Sequence, residues 1–210
     1  MKNKRNQKDA TEGFDWEEPE INFSDVGGRD ELKSRLWELA IDPVENKEQH
    51  RTYGVPVPNG ILFAGPPGTG KSHMAKALAG ELDRKYLDIS LAEIRDSLAG
   101  ESEKTTNFQG DMDDAVDRPG RFGQDFTIGL PDKACRQEVL QIHLEDRPVA
   151  SSSVDLREIA RLTQDYSCAD LEEVTVEAAR KALKEDTYIT QKHLKRGVQQ
   201  VDPSVNPSKW

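Results

Sequence analysis

The sequence predicts an α/β unit with a short parallel sheet covered by helices, followed by a small all-helical subdomain. Three observations carry this. Gly60–Ala64 (GILFA) is apolar at consecutive positions, as a strand buried on both faces must be. It runs directly into a glycine-rich loop, Gly65 to Ser72, and then into helical spacing. From Pro131 onward the apolar residues recur at about 3.6-residue spacing and not in alternation.

Each element follows in order. Residues 1–20 are charged and read as a flexible tail, with Phe14 and Trp16 as its large apolar groups. Residues 30–41 carry Leu32, Leu36, Trp37, Leu39 and Ala40 at helical spacing, with Asp30 and Glu31 at the favourable end. Pro43 is expected to close that helix. Tyr53–Pro58 reads as a proline-broken approach to the strand Gly60–Ala64. A helix follows over Met74–Leu82, a strand over Tyr86–Ser90, a helix over Leu91–Leu98 and a third strand over Asp125–Leu130. Helices are then expected over 133–145, 154–163, 168–185 and 190–201. Ser167 with Asp170 has capping-box spacing, and Thr190 suits the N-cap of the last helix. The expected organisation is a tail (1–20), a shortened α/β subdomain (21–131), a helical subdomain (132–205) and a C-terminal tail (206–210).

Composition excludes several function classes. The 210 residues carry a net charge of −10, which argues against a surface that coats nucleic acid. No stretch approaches the roughly 18 apolar residues that a membrane span needs, and Met1–Asp9 has no signal-like apolar segment behind it. Cys135 and Cys168 stand apart, without a CxxC or Cys/His cluster. Reduced thiols and a cytoplasmic location are expected.

The chemistry is concentrated in Gly65-Pro66-Pro67-Gly68-Thr69-Gly70-Lys71-Ser72. It matches GxxxxGK[ST] in full, between a strand and a helix, the context that gives the pattern meaning. Glycines let successive backbone N–H groups turn inward, and the helix N-terminus adds partial positive charge. Lys71 would reach the β- and γ-phosphates, and the Ser72 hydroxyl would ligate Mg²⁺.

With this loop and its surroundings, the chain resembles the AAA clade of the AAA+ ATPases, the group of unfoldase, proteasome-activating and katanin-like members. The resemblance covers roughly residues 21–205. Ile21-Asn22-Phe23-Ser24-Asp25-Val26-Gly27-Gly28 is similar to the family segment beside the adenine, which makes Asp25 and Gly27 candidate base contacts. Ser97 to Glu103 is similar to the central pore loop, with Leu98 where many members carry an aromatic. Thr105-Thr106-Asn107 resembles the first sensor, implying that Asn107 orients the attacking water. Arg118-Pro119-Gly120-Arg121-Phe122 resembles the segment whose arginines reach a neighbouring subunit's γ-phosphate; Arg118 and Arg121 are candidate fingers. Gln141-Ile142-His143 is similar to the segment with a nucleotide-contacting His. Tyr166 to Leu171 resembles the second sensor, with Cys168 replacing the usual Gly and Ala169 keeping its place.

One part of the pattern is missing. A P-loop ATPase needs an apolar strand ending in acidic residues to hold Mg²⁺. No Asp-Glu pair follows Lys71; the pair Asp30-Glu31 lies upstream on a helix. Asn107 follows Lys71 by 36 residues, space for little more than one βαβ unit of roughly 30. The sequence reads as though some tens of residues were absent near Lys104 and Thr105. Without the acid strand and its neighbour, the sheet must either close up or lose partners for its backbone groups.

The resemblance implies binding of ATP and Mg²⁺, ATP hydrolysis coupled to protein remodelling, and assembly into a homo- or hetero-oligomeric ring, with no membrane or nucleic-acid partner. The missing acid strand leaves two other readings open, a hydrolysis-dead nucleotide-binding subunit and a truncated fragment.

Overall fold

The structure, a computed structural model, describes residues 16–55, 58, 60–88 and 124–206. The expected helix Leu91–Leu98, the pore-loop resemblance and the segments holding Asn107, Arg118 and Arg121 lie outside these residues.

The first helical stretch runs further than Pro43 allows in a regular α-helix. Helix α1 (Asp30–Leu36) passes into a π turn over Trp37–Ile41 and then α2 (Asp42–Glu45). The expectation that Pro43 closes the helix is therefore corrected. The Asp42 N–H bonds back to the Trp37 carbonyl, a widened turn. This resets the register so that Pro43 falls in the first turn of α2, where no N–H is required. A helix that the sequence pattern did not announce, α3 (Lys47–Tyr53), follows and stops at Gly54, whose φ is 69°.

Strand β1 (Ile61–Ala64) pairs in parallel with β2 (Gln124–Thr127), with Ile61 opposite Gln124 and Ala64 opposite Thr127. The strand that enters the glycine-rich loop lies directly against the expected third strand. One further ladder bond runs from Ile128 N–H to the Ala64 carbonyl at 2.8 Å. Phe126 and Ile128 are buried, and with Leu36, Ile41, Met74 and Ala77 they form the core beneath this sheet.

The expected strand Tyr86–Ser90 is not formed at its described positions, Tyr86–Asp88. Tyr86 instead makes an isolated antiparallel bridge with Glu17, through N–H to carbonyl bonds of 2.8 and 2.9 Å. Lys76 pairs with Glu17, and Lys85 with Glu18 at 3.6 Å. Among the described residues Tyr86 has no neighbour in the sheet, and the segment before residue 21 pairs with it instead, since unpaired backbone groups are costly.

Helix α4 (Lys71–Glu81) starts at Lys71 itself, three residues before the apolar pattern becomes visible. The remaining chain is helical. Helix α5 (Lys133–Glu145) is capped by Asp132, whose side chain accepts from Cys135 N–H at 2.8 Å. Helix α6 (Leu156–Leu162) is capped by Asp155. Helix α7 (Cys168–Lys184) begins with the reciprocal Ser167/Asp170 capping box, and α8 (Gln191–Val198) with Thr190 and His193. The expected last helix extended to 201; it stops at Val198, and Val201 folds back as a buried core residue. Leu140, Ile159, Leu171, Val174 and Leu194 form a second, fully buried core. No helix among the described residues is long and apolar enough to cross a membrane.

Candidate nucleotide site

The loop from Gly65 to Gly70 leaves β1 and delivers the chain to the N-terminus of α4. Gly65 has φ 139°, and a Cβ placed there would lie 2.2 Å from the Ile128 carbonyl oxygen. Only a residue without a side chain lets the loop pass so close to the chain leaving β2. Gly68 has φ 73°, and a Cβ there would stand 2.8 Å from the Ser167 hydroxyl. The loop is thus pressed between the end of the sheet and the start of α7.

The loop is cross-linked internally. The buried Thr69 hydroxyl donates to the Pro66 carbonyl at 2.9 Å. Lys71 Nζ donates to the Gly65 and Pro66 carbonyls at 3.0 and 2.6 Å. Its ammonium is therefore held on loop carbonyls, the position from which it would exchange to phosphate oxygens. Ser72 is exposed on the first turn of α4.

These groups open on a cavity of about 500 Å³. Nine candidate residues border it: Asp25, Gly27, Gly68, Thr69, Gly70, Lys71, Ser72, His143 and Ala169. Gly65, Pro66 and Pro67 stand behind the loop; the first two act on the cavity through Lys71. Asp25 and Gly27 are fixed from two sides. His73 Nε2 lies 3.0 Å from the Asp25 carbonyl, and the Cys135 thiol donates to the Gly27 carbonyl at 3.1 Å. The adjacent Gly28 N–H donates to the Glu138 carboxylate at 2.7 Å. The helical region closes the opposite wall, where Ala169 N–H donates to the Gly68 carbonyl at 3.1 Å.

Ile21, Val139 and Ile142 supply apolar wall, a surface suited to a flat base. Burial holds the His143 imidazole below its ordinary value, so that it is neutral at neutral pH. Desolvation pushes the Cys135 thiol up to about 11 and raises Cys168 as well. Both cysteines are free and stay protonated at neutral pH.

Sequence reasoning missed Arg29, His73 and Glu172, which also border the cavity. No motif marks them. Each stands within three residues of a named candidate: Arg29 after Gly27, His73 after Ser72 and Glu172 after Ala169.

The residues present fit a nucleotide. A helix N-terminus and a glycine-built loop face a cavity that also carries Lys71, Ser72 and an apolar wall. A divalent cation bound to the phosphates would find the Ser72 hydroxyl on that wall.

Comparison with known proteins agrees with this geometry. The ATPase family associated with various cellular activities (AAA) matches residues 61–109, and the AAA+ lid domain matches residues 153–196. The chain is 30% identical over 227 residues to the Cell division cycle protein 48 homolog of Archaeoglobus fulgidus, covering 79% of this chain and 31% of the relative. It is 29% identical over 243 residues to the ATP-dependent zinc metalloprotease FtsH 4 of Sphaerobacter thermophilus (85% and 37%). It is 27% identical over 237 residues to the Proteasome-activating nucleotidase of Methanopyrus kandleri (82% and 54%). The chain therefore spans between about a third and a half of these relatives. It is also internally short. The archaeal alignment runs over 227 positions while taking in 79% of 210 residues, so roughly 60 positions have no counterpart here, about two βαβ units' worth. With a glycine-rich loop between strand and helix, a helix of the lid-matched region seated on that loop and matches to both family modules, the chain belongs to the AAA family of ATPases.

Proposed function

We propose that this chain binds ATP with Mg²⁺ in the cavity and serves as a subunit of an AAA ring whose ATP hydrolysis drives remodelling of protein substrates in the cytoplasm. The observation that carries the proposal is the loop itself: GPPGTGKS opens onto the cavity, and the start of α7 covers its far side. In this reading Gly68 to Gly70 present N–H groups to the phosphates, and Lys71 moves from the Gly65 and Pro66 carbonyls to phosphate oxygens. Ser72 meets Mg²⁺, which when bound neutralises phosphate charge. Asp25 and Gly27 border the base, and His143 and Ala169 hold the nucleotide from the helical side. Asn107 orients water, and Arg118 and Arg121 act on a neighbouring subunit's nucleotide, as the family resemblance implies. The relatives' names, an ATP-dependent protease and a proteasome-activating nucleotidase, support protein substrates.

A thermal melt with and without Mg-ATP tests this. ATP at about 100 times its Kd should add about 2.7 kcal/mol of stability, a rise of several degrees in Tm. Lys71→Ala should abolish the rise. An unmoved melt in the unmutated protein overturns the proposal. Phosphate release that needs Mg²⁺ and vanishes in Lys71→Ala establishes turnover. A melt shift without phosphate release assigns nucleotide binding alone, the outcome in keeping with the missing Asp-Glu strand.

A further inference from the structure

We propose that Arg29 is a positioning residue for the phosphate loop: it ties the loop to the chain leaving β2 and so fixes the direction of the Gly70 N–H that a nucleotide's phosphates would meet. The proposal rests on the nucleotide-binding reading above and names a residue that no motif marks.

The geometry is specific. Arg29 Nη2 donates to the Thr69 carbonyl at 3.2 Å and to the Gly129 carbonyl at 2.9 Å. Thr69 belongs to the loop that leaves β1, and Gly129 lies two residues beyond β2. One nitrogen therefore cross-links the exits of the two paired strands. In full-sized parallel sheets further strands brace such a loop; here the described sheet consists of β1 and β2.

A planar trans peptide points its C=O and N–H in opposite directions. Holding the Thr69 oxygen toward Arg29 therefore sets where the Gly70 N–H points. Gly70 has φ 90°, in a region where glycine moves freely, so the backbone alone leaves this peptide loosely defined. The guanidinium supplies that constraint, beside the weaker Cys168 thiol donor 3.7 Å from the same carbonyl.

Two further observations agree. Arg29 itself sits at φ 60° and ψ 34°, a left-handed conformation uncommon for a residue with a side chain. Such strain persists where surrounding contacts over-determine it, and the paired carbonyls are those contacts. In addition, no carboxylate among the described residues forms an ion pair with Arg29. A guanidinium without a partner anion among the described residues thus stands on the same cavity wall as Lys71. It has donors to spare beyond the two bonds it makes.

The test compares the unmutated protein with Arg29→Met and Arg29→Lys, reading ATP and AMP affinities by competition against a fluorescent ATP analogue, alongside the ligand-free Tm. Arg29→Met should weaken ATP about tenfold, the scale of losing a charged hydrogen-bond donor. AMP affinity should change far less, because AMP lacks the phosphates that meet Gly70. Arg29→Lys should recover little, since a single ammonium does not reproduce the guanidinium fork. Unchanged ATP affinity in Arg29→Met overturns the proposal. So does an equal loss for ATP and AMP, which would mark a collapsed cavity. If Arg29→Met does not fold, the ATP-to-AMP ratio in Arg29→Lys decides alone: a ratio equal to the unmutated protein's overturns the proposal. Failure of the unmutated protein to bind ATP is a separate result and removes the nucleotide reading itself.

Discussion

The helical region and the α/β region of this chain are built under opposite constraints. In the helical region, Asp132, Asp155 and Ser167 each cap the helix that follows, using side chains next to it in sequence. Its core residues lie on amphipathic faces that a periodic sequence defines locally. In the α/β region, Ile61 pairs with Gln124, and Tyr86 pairs with Glu17. Those partners lie far apart in sequence, and neither is announced by local pattern. A helix satisfies its own backbone, whereas a strand depends on whichever neighbour the rest of the chain supplies. The helical region's logic is therefore local, whereas the sheet's depends on distant segments.

The largest effect should come from the helical core. Leu171 is fully buried at the heart of that cluster. Leu171→Ala should cost about 2–5 kcal/mol, read as a lower denaturant midpoint for the helical far-ultraviolet signal. A loss below about 1 kcal/mol would mean that this core is loosely packed, and the contrast between regions would disappear.

A smaller and more selective effect is expected at the junction of sheet and loop. Gly65→Ala introduces a Cβ 2.2 Å from the Ile128 oxygen at φ 139°. The strain should cost about 1–3 kcal/mol and remove the ATP-induced rise in Tm, while most helical signal persists. Loss of both signals together would show that the two regions unfold as one unit, which a comparison of calorimetric and van't Hoff enthalpies would confirm.

The smallest effect concerns acid. Burial holds His143 below the ordinary imidazole value of 6.5, so the unfolded chain binds the proton more readily. Its contribution to stability is complete above about pH 6.5 and is lost as pH falls toward the lowered folded value. Tm should therefore drop as pH falls below about 6.5, and His143→Gln should flatten that slope. The carboxylates of Glu158 and Glu185, lowered chiefly by hydrogen bonds from Lys195 and His193, keep their contributions into more acidic solution. An equal slope in His143→Gln would assign the acid response to another group.

Much of the site was legible in the sequence. Gly68 to Ser72 could be placed because strand, loop and helix follow one another within a few residues, and the phosphate-binding chemistry needs that order. Asp25, Gly27, His143 and Ala169 could be named through resemblance, although their meeting at one cavity depends on packing between the two regions. Arg29, His73 and Glu172 were invisible, because an arginine at a helix start or a histidine on an exposed turn has no local signature. Pro43 misled for a related reason. Proline stops a regular helix, but a π turn shifts the register so that the same proline starts the next one.

By itself, the sequence determined the phosphate loop, the helix caps and the boundaries of α5 and α7 to within a residue or so, because each rests on side chains and backbone groups a few positions apart. It also shows that no Asp-Glu pair follows Lys71. The tertiary structure decided which strands pair, that Tyr86 takes Glu17 as its partner, and that Arg29 reaches the loop. These depend on which distant segment is free to satisfy an unpaired hydrogen-bonding group, and no local pattern encodes that choice.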